Sequence, residues 1–123
     1  MVEETRLIEL IGISKEFDGT NALSDINLYI RKREFVTLLG PSGCGKTTML
    51  RIIAGFERPT QGELYIDEAL VSSEKTFVPP EKRSVGMVFQ SYAVWPHMNV
   101  FDNVAYPLSI KRTPKAQIAK EVE

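Results

Sequence analysis

Leu38 to Leu50 reads LLGPSGCGKTTML, and its inner segment GPSGCGKT, Gly40 to Thr47, sets glycines at 40, 43 and 45 just ahead of a lysine and two threonines. The spacing is the Walker A pattern of glycine, four residues, then Gly-Lys-Ser/Thr. Glycine permits backbone angles that side chains forbid, so successive amide N–H groups can turn inward around an anion. Met49, Leu50, Ile52 and Ile53 follow at helical spacing and predict a helix over Lys46 to Ala54, closed by Gly55. The helix start then aims unpaired amides and a positive dipole end at the loop. Lys46 reaches terminal phosphates, the Thr47 hydroxyl suits magnesium, and Thr48 adds a hydroxyl for an inner phosphate. Pro41, Ser42 and Cys44 complete the cradle, with Cys44 read as a small tolerated side chain that a bound nucleotide shields. A strand must lead into such a loop, and the apolar run FVTLL, Phe35 to Leu39, is expected to be a parallel strand buried on both faces.

The rest of the chain is read around that unit. RLIELIGIS (Arg6 to Ser14) and ALSDINLYI (Ala22 to Ile30) alternate apolar and polar residues as half-buried strands do, with KEFDGTN as a turn between them. Pro59 to Val71 returns to a strand pattern and suggests an edge hairpin, and SVGMVF, Ser84 to Phe89, reads as another short buried strand. Asn99 is a candidate N-cap for a helix over VFDNVAYPL, with Asp102 in the first turn and Pro107 as its end. Thr113 and Pro114 read as cap and first turn of a helix from Lys115 to Glu123. The charged runs RKR and EKR are expected to be solvated corners.

With 15 basic and 16 acidic residues among 123, the net charge of -1 gives no electrostatic reason to expect nucleic acid or an anionic membrane surface as partner. The acidic start MVEETRLIEL lacks the pattern of a secretory signal, and Cys44 has no second cysteine to pair with, which together predict a soluble chain of the cytoplasm.

Phosphate loops serve several chemistries, and the flanking segments choose among them. ISKEFDGTNALSDINLYIRKREFVTLLGPSGCGKTTMLRIIAGFERPTQGELYIDE, followed by PPEKRSVGMVFQSYAVWPHMNVFDNVAYPL, resembles the amino-terminal half of an ATP-binding cassette (ABC) transporter ATPase, from about Leu7 onward. Within that family it is similar to the importer ATPases of sugar, polyamine or ferric-iron uptake. The resemblance implies an α/β P-loop core with an antiparallel β subdomain built from the amino-terminal strands and the 62–71 hairpin, and residues 1–123 as the first part of a nucleotide-binding domain. It implies ATP and Mg2+ as cofactors, with Phe17 stacking on adenine, Ala22 beside the base, and Gln90 as the Q-loop glutamine near magnesium and the nucleophilic water. Tyr92, Trp95, Pro96, His97 and Phe101 would then lie on the surface that receives a transmembrane permease subunit. A second ATPase copy is the other implied partner, and the implied location is the inner face of the cell membrane, reached through the permease.

The family pattern also has a signature motif, a Walker B strand, a catalytic glutamate and a switch histidine, and none is recognisable in this sequence. ELYIDE, Glu63 to Glu68, looks like Walker B but follows the Walker helix too closely and matches the family's edge hairpin, with Glu68 where that hairpin has glycine. The expectation is therefore an incomplete core that binds nucleotide and is inactive alone in hydrolysis. The alternative is a naturally short nucleotide-binding or partner-binding module without turnover. A GTPase or small-molecule kinase would need base-reading or lid motifs, and no NKxD-like segment is present.

Overall fold

Alternation of apolar and polar side chains at the start of the chain becomes, in the computed structural model, an antiparallel pair of strands, β1 (Arg6–Phe17) and β2 (Thr20–Arg31). The structure describes residues 5–41, 43–89 and 94–123, which fall into two units, Met1–Gly86 and Met87–Glu123. The strands run further than their apolar pattern. Phe17 pairs with Thr20, leaving a tight turn at Asp18 and Gly19 with φ of 46° and 84°. Positive φ at both turn residues matches the right-handed twist of the flanking strands.

A four-stranded sheet of order β2-β1-β3-β4 forms when β3 (Gln61–Ile66) adds to β1 and β4 (Ala69–Ser72) adds to β3, all antiparallel. Leu10 and Ile13 are both buried although an uninterrupted strand would turn them to opposite faces. A bulge at Gly12 shifts the register between them and restores the inward face. Leu10, Ile13, Leu23, Leu64, Ile66 and Val71 of the sheet close on Ile52 and Ile53 of α1 (Lys46–Ala54), so one small core joins the sheet to the helix that follows the glycine loop.

The β3–β4 turn consists of Asp67 and Glu68, at φ of 51° and 68°. The hairpin expected from the family pattern forms without its glycine, and Glu68 occupies a left-handed conformation that costs an L-residue about 1–2 kcal/mol. Glycine would relieve that strain, and its greater freedom in the unfolded chain would offset part of the relief. Glu68→Gly is therefore expected to raise stability by about 0.5–1 kcal/mol. A denaturant midpoint equal to or below that of the parent protein would contradict the strain.

Two expected strands do not form. Phe35 to Leu39 and Ser84 to Phe89 lie outside every strand, and Phe35, Leu39 and Val88 are 92%, 90% and 89% exposed. A buried parallel strand requires ladder partners for its N–H and C=O groups, and no described residue provides them. The EKR run departs from expectation as well. Arg83 is 6% exposed. Its guanidinium donates to the carbonyls of Ile52 (2.8 Å), Ile53 (3.1 Å), Val78 (2.7 Å) and Val71 (3.4 Å) and lies 5.0 Å from the Phe77 ring centroid. Burial lowers its pKa from the ordinary arginine value. The α1 carbonyls it caps lie in the last turn of the helix, where a cation is favoured by the dipole, and the Ile52 carbonyl also accepts the Gly55 N–H at 3.2 Å.

In the second unit, α2 (Val100–Ile110) starts as expected: the Asn99 side chain accepts the Asp102 N–H at 2.7 Å. Pro107 does not end it. The helix runs on to Ile110 because bonds past the proline close it, from Arg112 N–H to Ser109 O and from Thr113 N–H to Leu108 O, both 3.0 Å, with Arg112 at φ 57°. That pairing is a Schellman closure with arginine at the usual glycine position. It also takes the Thr113 N–H, and Pro114 rather than Thr113 stands at the N-cap of α3 (Lys115–Val122), its carbonyl accepting from Gln117 and Ile118.

Candidate functional site

The glycine loop is pressed against the first hairpin. Gly45 precedes α1 at φ 97°, and a Cβ there would lie 2.7 Å from both the Ala22 carbonyl oxygen and Leu23 Cδ2. Left-handed backbone and close approach each demand glycine. The loop also doubles back on itself: Cys44 N–H donates to Pro41 O at 3.3 Å, and a Cβ on Gly40 would come within 2.6 Å of Cys44 Sγ. Lys46 Nζ donates to the Gly40 carbonyl and so ties the start of the loop to the start of the helix. Gly43 adds a second positive φ, 82°, inside the turn.

What results is a cluster of hydrogen-bond donors at the start of α1. Gly45 offers no side-chain cap, the first turn of α1 contains no acidic residue, and the Lys46, Thr47 and Thr48 amides open the helix. Thr47 is exposed and Lys46 and Thr48 are half-buried, so ammonium and hydroxyls stay within reach of a ligand. Lys46 has three N–H donors and uses one on Gly40. Amides, ammonium and hydroxyls beside a loop whose Gly45 cannot accept a Cβ suit a polyphosphate. Ser42 lies outside the described residues.

The β1–β2 hairpin carries two further candidates, of which Ala22 lies against this loop. Ala22 falls at an irregularity of the ladder, where Glu16 pairs with Asn21 and Lys15 with Leu23, and its carbonyl oxygen is one of the two atoms that a Cβ on Gly45 would meet at 2.7 Å. Phe17 stands at the end of the same hairpin, 43% exposed, with Lys15 Nζ 4.9 Å from its ring centroid. Lys15 was not singled out by the sequence, where it is one cation in a turn-like stretch.

The second unit holds the aromatic candidates. Gln90 and Tyr92 lie outside the described residues, while Trp95, Pro96, His97 and Phe101 belong to this unit, with Trp95 38% and Phe101 42% exposed. Trp95 packs on Tyr106 of α2 with ring centroids 4.6 Å apart. Asn103 holds the segment in place: its Oδ1 accepts the Trp95 N–H at 2.9 Å, and its Nδ2 donates to the carbonyls of Trp95, Met98 and Asn99. Asn103 and Tyr106 escaped the sequence reading. An asparagine inside a helix is the one signal that could have found the first, because its amide competes for backbone partners.

A family model described as ABC transporter matches residues 23–123. The chain belongs to the ABC transporter family. Among curated ABC relatives, the spermidine/putrescine import ATP-binding protein PotA of Bacteroides thetaiotaomicron is 50% identical over 123 residues, covering 100% of this chain and 26% of the relative. The protein of the same name from Spiroplasma citri is 53% identical over 120 residues, covering 98% of this chain and 33% of its own length. The chain thus spans about a quarter to a third of the curated relatives it matches. Among solved structures, the dimeric post-hydrolysis state of the ATP-binding cassette MJ0796 bound to ADP and Pi superimposes with a TM-score of 0.81 at 30% identity, over 94% of this chain and 53% of that one. The α/β cassette fold expected from the sequence is the fold of that neighbour, and nucleotide binding is the property these matches support. Among the described residues, no helix is long and apolar enough to cross a membrane.

Proposed function

We propose that the chain is the nucleotide-holding portion of an ABC importer ATPase, binding magnesium-ATP to drive solute uptake. The observation that carries this is the loop pressed on Ala22, whose Gly45 leaves no room for a side chain and whose uncapped helix start sets backbone amides beside Lys46 and Thr47. The relatives' name, spermidine/putrescine import, favours a polyamine as the transported solute. In this reading Gly40 to Thr48 hold the phosphates, Thr47 and Gln90 hold Mg2+, and Phe17 and Ala22 meet the base. Mg2+ held there would supply charge neutralisation to the phosphates. Lys46 and the α1 amides fix the triphosphate chain, and Thr47 presents its hydroxyl to the ion. Trp95, Pro96, His97 and Phe101, with Gln90 and Tyr92, form the contact for a transmembrane permease subunit, which places the protein on the cytoplasmic face of the membrane. A second copy completes the ATP site, in keeping with the dimeric state of the solved neighbour. The bare apolar side chains of Phe35, Leu39 and Val88 fit sheet strands whose partners come from the part of a cassette that this chain does not span.

Calorimetric titration with ATP and GTP in magnesium buffer tests the nucleotide reading. ATP is expected to bind, and Phe17→Ala to weaken it by about 1 kcal/mol, roughly fivefold, through lost stacking. A strong preference for GTP would move the protein to another class of P-loop protein. A folded chain that binds neither would remove the site.

A further inference from the structure

The cation beneath the aromatic ring at the end of the first hairpin is held far more firmly than a surface lysine. Lys15 Nζ pairs with Glu57 Oε1 at 3.2 Å, donates to the Arg58 carbonyl at 2.8 Å, and sits 4.9 Å from the Phe17 ring centroid; its side chain is 15% exposed. Glu57 and Arg58 belong to the segment that leaves α1, which Gly55 closes. Two hydrogen bonds brace the same junction, from Glu16 N–H to the Thr60 side-chain Oγ1 at 3.0 Å and from Thr60 N–H to Ser14 O at 2.8 Å. A lysine free in solvent would gain little from a ring and lose rotamer entropy to reach it. Here the ion pair and carbonyl fix the ammonium first, and the ring rests on a charge already in place.

From this geometry we infer that Lys15 is a positioning residue for the nucleotide base: it supports one face of Phe17 so that the other face is set for adenine. The inference rests on the reading of Phe17 as the base platform. A ring at a hairpin end otherwise samples several rotamers, and a ligand that stacks on it must select one. Fixing the ring before binding removes that cost. The ammonium also draws electron density from the ring, which favours contact with an electron-rich purine on the opposite side. The anchor at Glu57 and Arg58 ties the platform to the exit of the helix whose entrance holds the phosphates, so base and phosphate contacts share one rigid frame.

The test compares ATP with inorganic tripolyphosphate, which has the phosphates and no base, on the purified protein and its Lys15→Met, Lys15→Arg, Glu57→Gln and Phe17→Ala forms. Lys15→Met is expected to weaken ATP about threefold to tenfold and leave tripolyphosphate unchanged, with Lys15→Arg retaining most of the ATP affinity and Glu57→Gln losing part of it. If Phe17→Ala weakens ATP while Lys15→Met does not, the support role fails and the platform stands. Equal weakening of ATP and tripolyphosphate in Lys15→Met overturns the inference in favour of a role in the fold or the phosphate cradle. If Phe17→Ala leaves ATP affinity intact, the platform reading falls and the Lys15 inference falls with it.

Discussion

Replacing Lys46 with alanine is expected to weaken nucleoside triphosphate binding by about 10- to 100-fold, the equivalent of a charge-assisted hydrogen bond of about 1.5–3 kcal/mol. Lys46 contributes twice. Its ammonium is the cationic side chain at the mouth of the cradle, and its bond to the Gly40 carbonyl ties together the two ends of the loop. The substitution removes both, leaving only backbone amides and hydroxyls for the phosphates. Because Lys46 is half-buried and starts α1 rather than packing in the core, thermal stability should change little. Lys46→Arg should recover only part of the affinity, since a planar fork does not reproduce a compact ammonium at the same reach. The measurement is calorimetric ATP affinity at fixed magnesium and salt. Parent-like affinity in Lys46→Ala would overturn the phosphate role of the loop.

Arg83→Ala is expected to act on the opposite property, lowering stability by about 3 kcal/mol or more. The side chain donates to four carbonyls; in alanine the Ile52 and Val71 carbonyls keep the N–H groups of Gly55 and Val78, at 3.2 and 2.8 Å, while the Ile53 and Val78 carbonyls lose the arginine donor, at about 1–3 kcal/mol for each one that water does not reach. Gly55 shows how closely the guanidinium fits: a Cβ there would stand 3.0 Å from Arg83 Nε and 3.1 Å from Cζ. A melting temperature lower by more than about 10 °C follows for a domain of this size. The milder Arg83→Lys should retain less than half of the arginine's contribution, because one ammonium cannot serve carbonyls from α1, β4 and the Val78 segment together. Saturating ATP should raise the melting temperature of the variant, since ligand binding to the folded state adds to its stability. A loss under about 1 kcal/mol in Arg83→Ala would show that the network is dispensable.

How much of this was legible depended on whether the cause was local. The helix Lys46–Ala54 and its Gly55 closure were readable because apolar spacing and a left-handed glycine are properties of adjacent residues, as is the Asn99 cap. FVTLL was readable as apolar but not as unpaired, because a strand exists only through its neighbours. EKR held no sign that Arg83 would be buried and Lys82 not; that difference arises where β4, α1 and the Val78 segment meet. Pro107 misled because its missing N–H was weighed without the closing bonds supplied by Arg112 and Thr113. In the candidate site, the glycine loop and the helix start after it were legible from spacing alone, whereas the contacts of Lys15 and Asn103 are made with partners that could be recognised only once the fold had put them in place.

Trp95 is the only tryptophan in the chain, and it rests on Tyr106 with its backbone clamped by Asn103. Red-edge excitation, beyond the absorption of tyrosine, therefore draws light from a single indole, and the emission colour reports how wet that one ring is. The protein thus carries its own optical probe at the surface proposed for the permease. Binding of a membrane partner there can be followed in real time by fluorescence, with no label and no mutation.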